Sequence, residues 1–334
     1  MEAFAEHAWS DGDLEIRIAN GALQRAAGML ADHGFRDYEL VTTKRALQSA
    51  PRDLVEAADR VHEVPSGPVP DLSAALLPEI GERPRLVSLG GGRVVDTAKA
   101  LAAVRGGEVA AIPTTLSGAE LTSLHRMPEG AGSAAQVRPR LVLVDPSLLG
   151  SVSEPSLRAS AGNALAHGAD ALIGPRADAE TARRTLSGAG LIAAALDQAP
   201  SDRNLTGLAL GSALCAIALE RGGLSIHHVL AQSLVRVFET AHAETHSAVL
   251  PHSLVVIAAR APDSAAGLAA VLGSRVEVLP ERIQELAGVY ALGPLGAERD
   301  RLGEVVEIAL ARLSSAPGER PDADELTRIL EAAF

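Results

Sequence analysis

The 334-residue chain contains little cysteine, few aromatic side chains and little lysine, and each shortage narrows what the protein can be. Cys215 is its single cysteine, so it cannot form an intramolecular disulfide, and we expect a cytoplasmic location. Aromatic residues make up 2% of a chain that is 47% hydrophobic, so the core must be aliphatic. Lys44 and Lys99 are the only lysines among 30 basic residues, which makes the position of each informative.

The chain also lacks an excess of positive charge and long apolar runs. Its net charge of −12, with no long basic run, argues against nucleic acid and an anionic membrane surface as partners. A small anionic substrate is still compatible, because a site can be locally positive. No uncharged apolar stretch reaches the roughly 20 residues that a membrane span needs. The opening segment MEAFAEHAWSDGD has neither a basic start nor an apolar run, so we expect no signal peptide.

The two halves of the chain differ in their hydrophobic pattern. Short β-branched runs alternate with helix-length segments in the first half, whereas Ala- and Leu-rich helical segments dominate after residue 151. We therefore predict an α/β domain with a parallel sheet over 1–150 and an all-α domain over 151–334. The predicted strands are 14–18, 38–42, 61–64, 85–89, 109–113 and 141–145. The predicted helices of the first half are 21–33, 46–61, one that ends near 80, and 93–104.

Three glycines, Gly90 to Gly92, stand between a predicted strand and a predicted helix. Glycines let the backbone approach a phosphate, and a helix N-terminus offers free N–H groups and the positive end of a dipole. A triple glycine by itself is equally consistent with a plain turn. The spacing GGGRVVDTAK adds Asp96 and Lys99 one helical turn apart, which favours a phosphate-binding site.

A second polar segment, PTTLSGAE over 113–120, follows the next predicted strand. Its three hydroxyls and one glycine lie at the carboxyl end of that strand, where open α/β sheets bind nucleotides. An ordinary capping turn is the alternative, and the neighbouring glycine motif favours the nucleotide interpretation.

Half of the chain's ten histidines fall between residues 222 and 252. They are His227, His228, His242, His246 and His252. The pattern predicts a helix after residue 223, a break near 240 and a second helix over 242–260. His242 would then begin the second helix, and His246 would lie one turn along the same face. Partly buried core histidines are the alternative, but this density favours a polar site.

Together these motifs resemble the iron-containing alcohol dehydrogenase superfamily and, within it, the maleylacetate reductase family. The segments that carry the resemblance are GGGRVVDTAK, PTTLSGAELT, AGNALAH and HAETHSAVLPH, of which the last is the most specific. The resemblance is strong from about 85 to 257 and looser at both ends. It implies a Rossmann-like, dinucleotide-binding N-terminal domain and a helical C-terminal domain, in a dehydroquinate synthase-like architecture. It also implies a homodimer.

The resemblance implies roles for individual residues. NADH or NADPH would bind Gly90, Gly91, Gly92, Arg93, Asp96, Thr114, Thr115, Ser117 and Thr42. The catalytic set would be Asn163, His167, His228, His242 and His246. The segment after 38–41 contains no acidic residue for a ribose 2′-OH, and Lys44 or Arg45 could bind a 2′-phosphate, so the choice between the two cofactors stays open.

Metal-dependent members of the superfamily bind iron or zinc through one aspartate and three histidines. The matching positions here are Asn163, His167, His228 and His242, so a neutral amide replaces the anionic ligand, as in the reductase branch. We therefore predict no catalytic metal. The histidines would instead bind and polarise the substrate's carboxylates and carbonyl, and donate a proton.

The implied reaction transfers a hydride from NAD(P)H to the carbon–carbon double bond of maleylacetate and gives 3-oxoadipate, in aromatic-compound catabolism. Several residues depart from the reductase pattern. They are Gln232 in place of histidine, Val235 and Arg236 in place of glycines, Ala241 in place of proline, Arg93 in place of serine, and Asp96 in place of glycine. These departures leave open a member with another substrate or non-redox chemistry, and a metal-dependent alcohol dehydrogenase.

Overall fold

A computed structural model describes residues 6–313 and 321–334. The first five residues of the opening segment, where we expect no signal peptide, lie outside the described residues. The chain divides into two compact units, Met1–Ser151 and Val152–Phe334. We call them the N-terminal unit and the C-terminal unit.

Seven strands form one sheet in the N-terminal unit. They are β1 (His7–Asp11), β2 (Leu14–Ile18), β3 (Tyr38–Thr42), β4 (Ala58–Glu63), β5 (Arg85–Gly90), β6 (Glu108–Pro113) and β7 (Leu141–Val144). Their order across the sheet is β1-β2-β7-β6-β5-β3-β4. β1 and β2 are antiparallel, and the other pairs are parallel. The predicted α/β fold is confirmed, with an antiparallel strand added at one edge.

The helices divide unevenly between the units. Those of the N-terminal unit are α1 (Ala26–Asp32), α2 (Lys44–Gln48), α3 (Arg52–Glu56), α4 (Val69–Leu76) and α5 (Gly92–Arg105). Those of the C-terminal unit are α6 (Glu154–Ala171), α7 (Ala179–Leu196), α8 (Leu205–Gly222), α9 (Ile226–Phe238), α10 (His242–Arg260), α11 (Pro262–Val271), α12 (Leu279–Ala287), α13 (Leu302–Leu313) and α14 (Ala323–Ala333). All regular elements described after residue 151 are helical, as predicted.

The central strands are buried along their length because both faces of the sheet are covered. All five residues of β3 and all four of β7 are buried, which is typical of parallel strands. The cores on the two faces are aliphatic except for Phe35 and Tyr38 in one of them. Members of one are Leu40, Val87, Ala110 and Leu143, and members of the other are Val41, Leu86, Val94 and Leu101.

The predicted helix over 46–61 is wrong. The chain instead forms the short helices α2 and α3 and then β4, which begins at Ala58. Pro51 explains the break, because it has no backbone N–H to continue α2 and takes an extended conformation just before α3. The edge strand β1 was not predicted, since its residues alternate only between half-buried and exposed and so give a weak apolar signal.

Small residues let the helices of the C-terminal unit approach closely. A Cβ at Gly188 in α7 would lie 2.6 Å from the carbonyl oxygen of Gly211 in α8, so these helices pack backbone against backbone. A Cβ at Gly162 in α6 would collide with Ser247 Oγ of α10. Gly162 therefore brings α6 directly against α10, the two helices that carry most of the predicted catalytic residues.

Helix α8 is, among the described residues, the one helix long and apolar enough to cross a membrane by length and composition. Within its most apolar stretch, 67% of the residues are buried by the rest of the protein. That degree of burial is typical of the central helix of a folded core.

Candidate functional site

Two loops meet at the carboxyl edge of β5 and β6, because Gly90 and Pro113 are paired in the sheet. A Cβ at Gly91 would lie 3.2 Å from the side chain of Thr115, and one at Gly92 would lie 2.9 Å from Ser117 Oγ. Glycine is therefore needed to let the loops touch. Gly91 also precedes the first turn of α5, where backbone N–H groups lack helical partners. The structure thus brings most of the predicted dinucleotide-binding residues together, in a form suited to a phosphate.

Two predicted cofactor residues have different surroundings. Thr42 is fully buried at the end of β3, and its hydroxyl donates to the carbonyl of Leu89 at 2.8 Å. Arg93 is exposed at the start of α5. Thr42 therefore ties β3 to β5 through its side chain, whereas the guanidinium of Arg93 faces solvent.

A buried lysine stabilises the loop after β6. Lys99 is completely buried, forms an ion pair with Asp96 at 2.8 Å, and donates to three backbone carbonyls of the loop. Those carbonyls belong to Ala119, Thr122 and Leu124, at 2.8, 3.1 and 2.6 Å. This explains the Asp96–Lys99 spacing, in which the aspartate holds the lysine and the lysine holds the loop.

A buried carboxyl lies in the same loop. Burial raises the pKa of Glu120 to about 7, although the nearby Lys99 ammonium and the Ser117 hydroxyl lower it. Ser117 Oγ donates to Glu120 Oε2 at 3.4 Å. Glu120 lies in the segment PTTLSGAE, but nothing in that segment indicates its burial, so no role was predicted for it.

Five imidazoles form one cluster in the C-terminal unit, which we call the histidine cluster. Its members are His167 of α6, His227 and His228 of α9, and His242 and His246 of α10. Ring centroids lie 4.3 Å apart for His242 and His246, 4.7 Å for His228 and His246, and 5.1 Å for His167 and His228. His242 is exposed and the other four are buried, so the cluster runs from the surface into the core.

Asp170 orients the start of α9. Its carboxylate accepts the backbone N–H groups of Ser225, His227 and His228 at 2.7, 3.1 and 3.3 Å. It also lies 3.0 Å from His228 Nδ1. Because the carboxylate accepts, Nδ1 of His228 carries the hydrogen and Nε2 is left as a lone pair. Asp170 was missed, although its position three residues after His167 places it on the same side of α6.

Four buried polar atoms of this region have no hydrogen-bond partner. They are Asn163 Oδ1, His167 Nδ1, His228 Nε2 and His246 Nε2. Unpartnered buried polar atoms are rare in folded proteins because each costs about 1–3 kcal/mol. Their concentration around Asn163 and the imidazoles marks a place where a polar ligand completes the structure.

The buried histidines are neutral. Burial and the neighbouring imidazoles lower the pKa of His227 to about 3, and burial, His242 and the Arg312 guanidinium lower that of His228 to about 3. The pKa values of His167 and His246 are lowered well below the usual range for the same reasons, burial first. The cluster therefore presents hydrogen-bonding nitrogens rather than fixed positive charge.

The departures from the reductase pattern have a structural explanation in one case. Gln232, where the reductase family carries histidine, accepts a hydrogen bond from Arg312 Nη2 at 2.6 Å, and Arg312 Nη1 donates to the carbonyl of Val229 at 3.3 Å. A guanidinium from α13 thus lies near the buried end of α9. Val235 is half-buried, and Arg236 is exposed at the end of α9.

The chain belongs to the iron-containing alcohol dehydrogenase family and is an oxidoreductase of that NAD(P)-dependent class. The iron-containing alcohol dehydrogenase model matches residues 17–149, and the C-terminal model of the Fe-containing alcohol dehydrogenase family matches residues 159–334. The class expected from the motifs is confirmed.

Its curated relatives include maleylacetate reductases. The one from Pseudomonas knackmussii is 32% identical over 263 residues, which cover 75% of this chain and 73% of the relative. Maleylacetate reductase 1 from Rhodococcus opacus is 32% identical over 76% of this chain and 72% of the relative. The solved maleylacetate reductase from Agrobacterium tumefaciens superposes with a TM-score of 0.83 at 26% identity, covering 100% of this chain and 99% of that one. A 1,3-propanediol oxidoreductase shares the fold, with a TM-score of 0.82 at 20% identity.

Proposed function

We propose that this oxidoreductase uses NADH or NADPH to reduce maleylacetate, or a related unsaturated or keto acid, without a catalytic metal ion. The observation that best supports this is the histidine cluster, in which three buried ring nitrogens and the oxygen of a neutral amide, Asn163, have no partner, and Asn163 lies 3.4 Å from His167. The curated maleylacetate reductases add support, since they share this chain's family and 32% of its aligned residues.

The chemistry needs three contributions from the protein. Reduction of the conjugated double bond places a hydride on one carbon, develops negative charge on the carbonyl oxygen, and requires a proton at the neighbouring carbon. In the proposal the two loops at the β5–β6 edge hold the dinucleotide. Asn163, His167 and His228 hold the acid's oxygens, and His246, with His242 beside it, delivers the proton.

The charges of the site suit an anionic acid. Asp170, the carboxylate beside His228, is occupied by three backbone N–H groups and the His228 ring. The Arg312 guanidinium lies close enough to lower the pKa of His228. A positive side chain next to neutral hydrogen-bonding groups favours a substrate that brings its own negative charge.

The family implies a metal ion at this place, and the atom types fit one. Asn163, His167, His228 and His242 would hold it, and Asp170 would orient His228 as metal-binding histidines are commonly oriented. A bound ion would polarise the carbonyl of the substrate. The charges oppose this, because no carboxylate takes part in the proposed set and a guanidinium lies nearby, so we propose that the reaction does not use it.

A metal-dependent alcohol dehydrogenase is the second candidate, and one observation favours it. One ring nitrogen from each of His227, His228 and His246 lies within 4.8 Å of the others, close enough for a modest rearrangement to bring them around an ion. The two candidates differ in what they need: an anionic acid in the first, a resident ion in the second.

The deciding experiment is NADH and NADPH oxidation with freshly generated maleylacetate, in protein dialysed against a chelator and analysed for metal. We expect turnover to persist in metal-free protein. Asn163→Asp, which restores the anionic ligand of the metal-dependent relatives, should increase retention of Zn²⁺ or Fe²⁺ without raising turnover of the acid. Turnover that disappears on chelation and returns with metal would instead establish the second candidate. Cofactor binding without turnover would mean that the enzyme acts on another acid.

A further inference from the structure

A line of hydrogen bonds lies behind His246, on the side away from its unpartnered nitrogen. Ser253 Oγ donates to the carbonyl of Leu250 at 3.1 Å, Ser253 Oγ and His227 Nδ1 are 2.8 Å apart, and His227 Nε2 and His246 Nδ1 are 3.2 Å apart. Ser253 is 1% exposed, and both imidazoles are fully buried. Water therefore does not replace these contacts.

The direction of each hydrogen in this line follows from the serine. The rings of His227 and His246 allow two tautomeric arrangements of this line, and the one in which the single hydroxyl hydrogen of Ser253 goes to the Leu250 carbonyl makes Ser253 the acceptor of His227 Nδ1–H. His227 Nε2 is then a lone pair and accepts from Nδ1–H of His246. His246 Nε2, which has no partner in the protein, is left facing the site as a lone pair.

We propose that Ser253 and His227 are positioning residues that fix the tautomer of His246, with the hydrogen on Nδ1 and Nε2 reserved for the substrate. This inference rests on the proposed function, in which His246 delivers a proton. Nε2 takes up a proton from solvent on the side of the exposed His242, whose ring centroid is 4.3 Å away, and passes it to the substrate, while Nδ1–H stays bonded to His227. The proton can therefore leave only from Nε2, toward the substrate carbon.

Neither residue touches the proposed substrate position through a free atom. Both ring nitrogens of His227 are used within the line, and Ser253 is bonded to Leu250 and His227. Their effect on catalysis therefore passes through His246. A purely structural role would affect folding alone and leave the tautomer of His246 unchanged, which makes the two roles separable.

The test compares three variants with a matched control. Ser253→Ala removes the acceptor that fixes His227, and His227→Leu removes the acceptor that fixes His246. His227→Gln keeps an amide oxygen that can accept from His246 Nδ1–H. Ser233→Ala is the control, because Ser233 is fully buried on α9 and its hydroxyl donates only within that helix, to Val229 at 2.7 Å.

The first readout is the ¹⁵N NMR spectrum of ring-labelled histidine in the full-length protein, which distinguishes the two neutral tautomers. We expect His246 to carry its hydrogen on Nδ1 in the wild type and in Ser233→Ala, and to lose this preference in Ser253→Ala and His227→Leu. The second readout is steady-state kinetics. kcat should fall about 10- to 100-fold in Ser253→Ala and His227→Leu, with KM for the dinucleotide unchanged and with most of kcat retained in His227→Gln.

Two results would overturn the proposal: a hydrogen on Nε2 of His246 in the wild type, or a Ser253→Ala enzyme with the tautomer and kcat of Ser233→Ala. The spectra need no substrate. The effect of Ser253 and His227 on the tautomer of His246 is therefore tested even if none of the acids tried is reduced. If the spectra show the expected tautomers but no acid is reduced, the proposed function is contradicted, and the positioning role of Ser253 and His227 is supported.

Discussion

Two buried polar regions, the surroundings of Lys99 in the N-terminal unit and the histidine cluster in the C-terminal unit, differ in how their groups are partnered. In the N-terminal unit the Lys99 ammonium is fully buried, but Asp96 and three backbone carbonyls bind it. In the C-terminal unit four buried polar atoms around the histidine cluster have no partner. A group whose partners all come from the chain serves the fold, whereas groups left without partners point to a ligand. A concentration of buried polar atoms without partners, rather than burial alone, therefore identifies the candidate site.

The largest effect that tests this contrast is expected from His246→Ala. Because the proposed proton donor is lost, kcat/KM should fall about 100-fold or more. The free energy of unfolding should fall by only about 1 kcal/mol, because His227 Nε2 loses its donor while an unpartnered buried nitrogen is also removed. Steady-state kinetics and urea unfolding measure the two quantities. His33→Ala, in the N-terminal unit, is the control and should leave kcat/KM unchanged. A kcat/KM within a few-fold of the wild type in His246→Ala would show that the catalytic assignment is wrong.

Lys99→Met should show the converse pattern. Loss of the ammonium leaves three loop carbonyls without their donor and Asp96 without its cation, so the free energy of unfolding should fall by about 3 kcal/mol. Chemical denaturation measures this loss. Lys44→Met is the matched control, because the chain's other lysine is exposed and should tolerate the change. If Lys99→Met proved as stable as Lys44→Met, the structural role of the buried lysine would be refuted.

A third effect, which is gradual in any one pH unit, is a difference in pH dependence between the units. The folded pKa of His227 and of His228 is about 3, below the usual 6.5, so their stabilising contribution is complete above 6.5 and is lost as pH falls toward 3. The folded pKa of Glu120 is about 7, above the usual 4.5, so its contribution is complete below 4.5 and is lost as pH rises through 7. Each group should change the unfolding free energy by about 1 kcal/mol per pH unit within its window.

Urea unfolding of the wild type and Glu120→Gln between pH 4 and 8 separates the two contributions. Glu120→Gln should remove the decline on the alkaline side and keep the decline on the acid side. Equal alkaline declines in both proteins would mean that Glu120 is ionised and solvated in the folded state.

Much of the fold follows from local patterns in the chain. The break before His242 and the helix over 242–260 were predicted at the observed boundaries, because one continuous segment carries both signals. The prediction of a helix over 46–61 was wrong for two reasons. Pro51 separates two short helices, and β4 is held by pairing with β3, which lies elsewhere in the sequence. The conformation of that segment depends on its pairing with β3, which a local sequence pattern does not reveal.

In the candidate site, too, some residues can be predicted from local motifs and others cannot. His167, His228, His242 and His246 lie in recognisable motifs, and the structure brings them together. The groups that orient them come from distant positions, as with Asp170 for His228 and Ser253 for His227, separated by 58 and 26 residues. No local sequence signal marks such residues as partners of the histidines, so only the packed structure reveals them.

Arg312 has a practical consequence for anyone who handles this protein. The guanidinium that binds Gln232 belongs to α13, and α13 and α14 share a hydrophobic core with Leu230 and Leu234 of α9. Shortening the chain before residue 312 would therefore remove a charge from the neighbourhood of His228 and uncover the helix that carries it. A truncation that removes α13 would therefore act on a site about eighty residues upstream in the sequence.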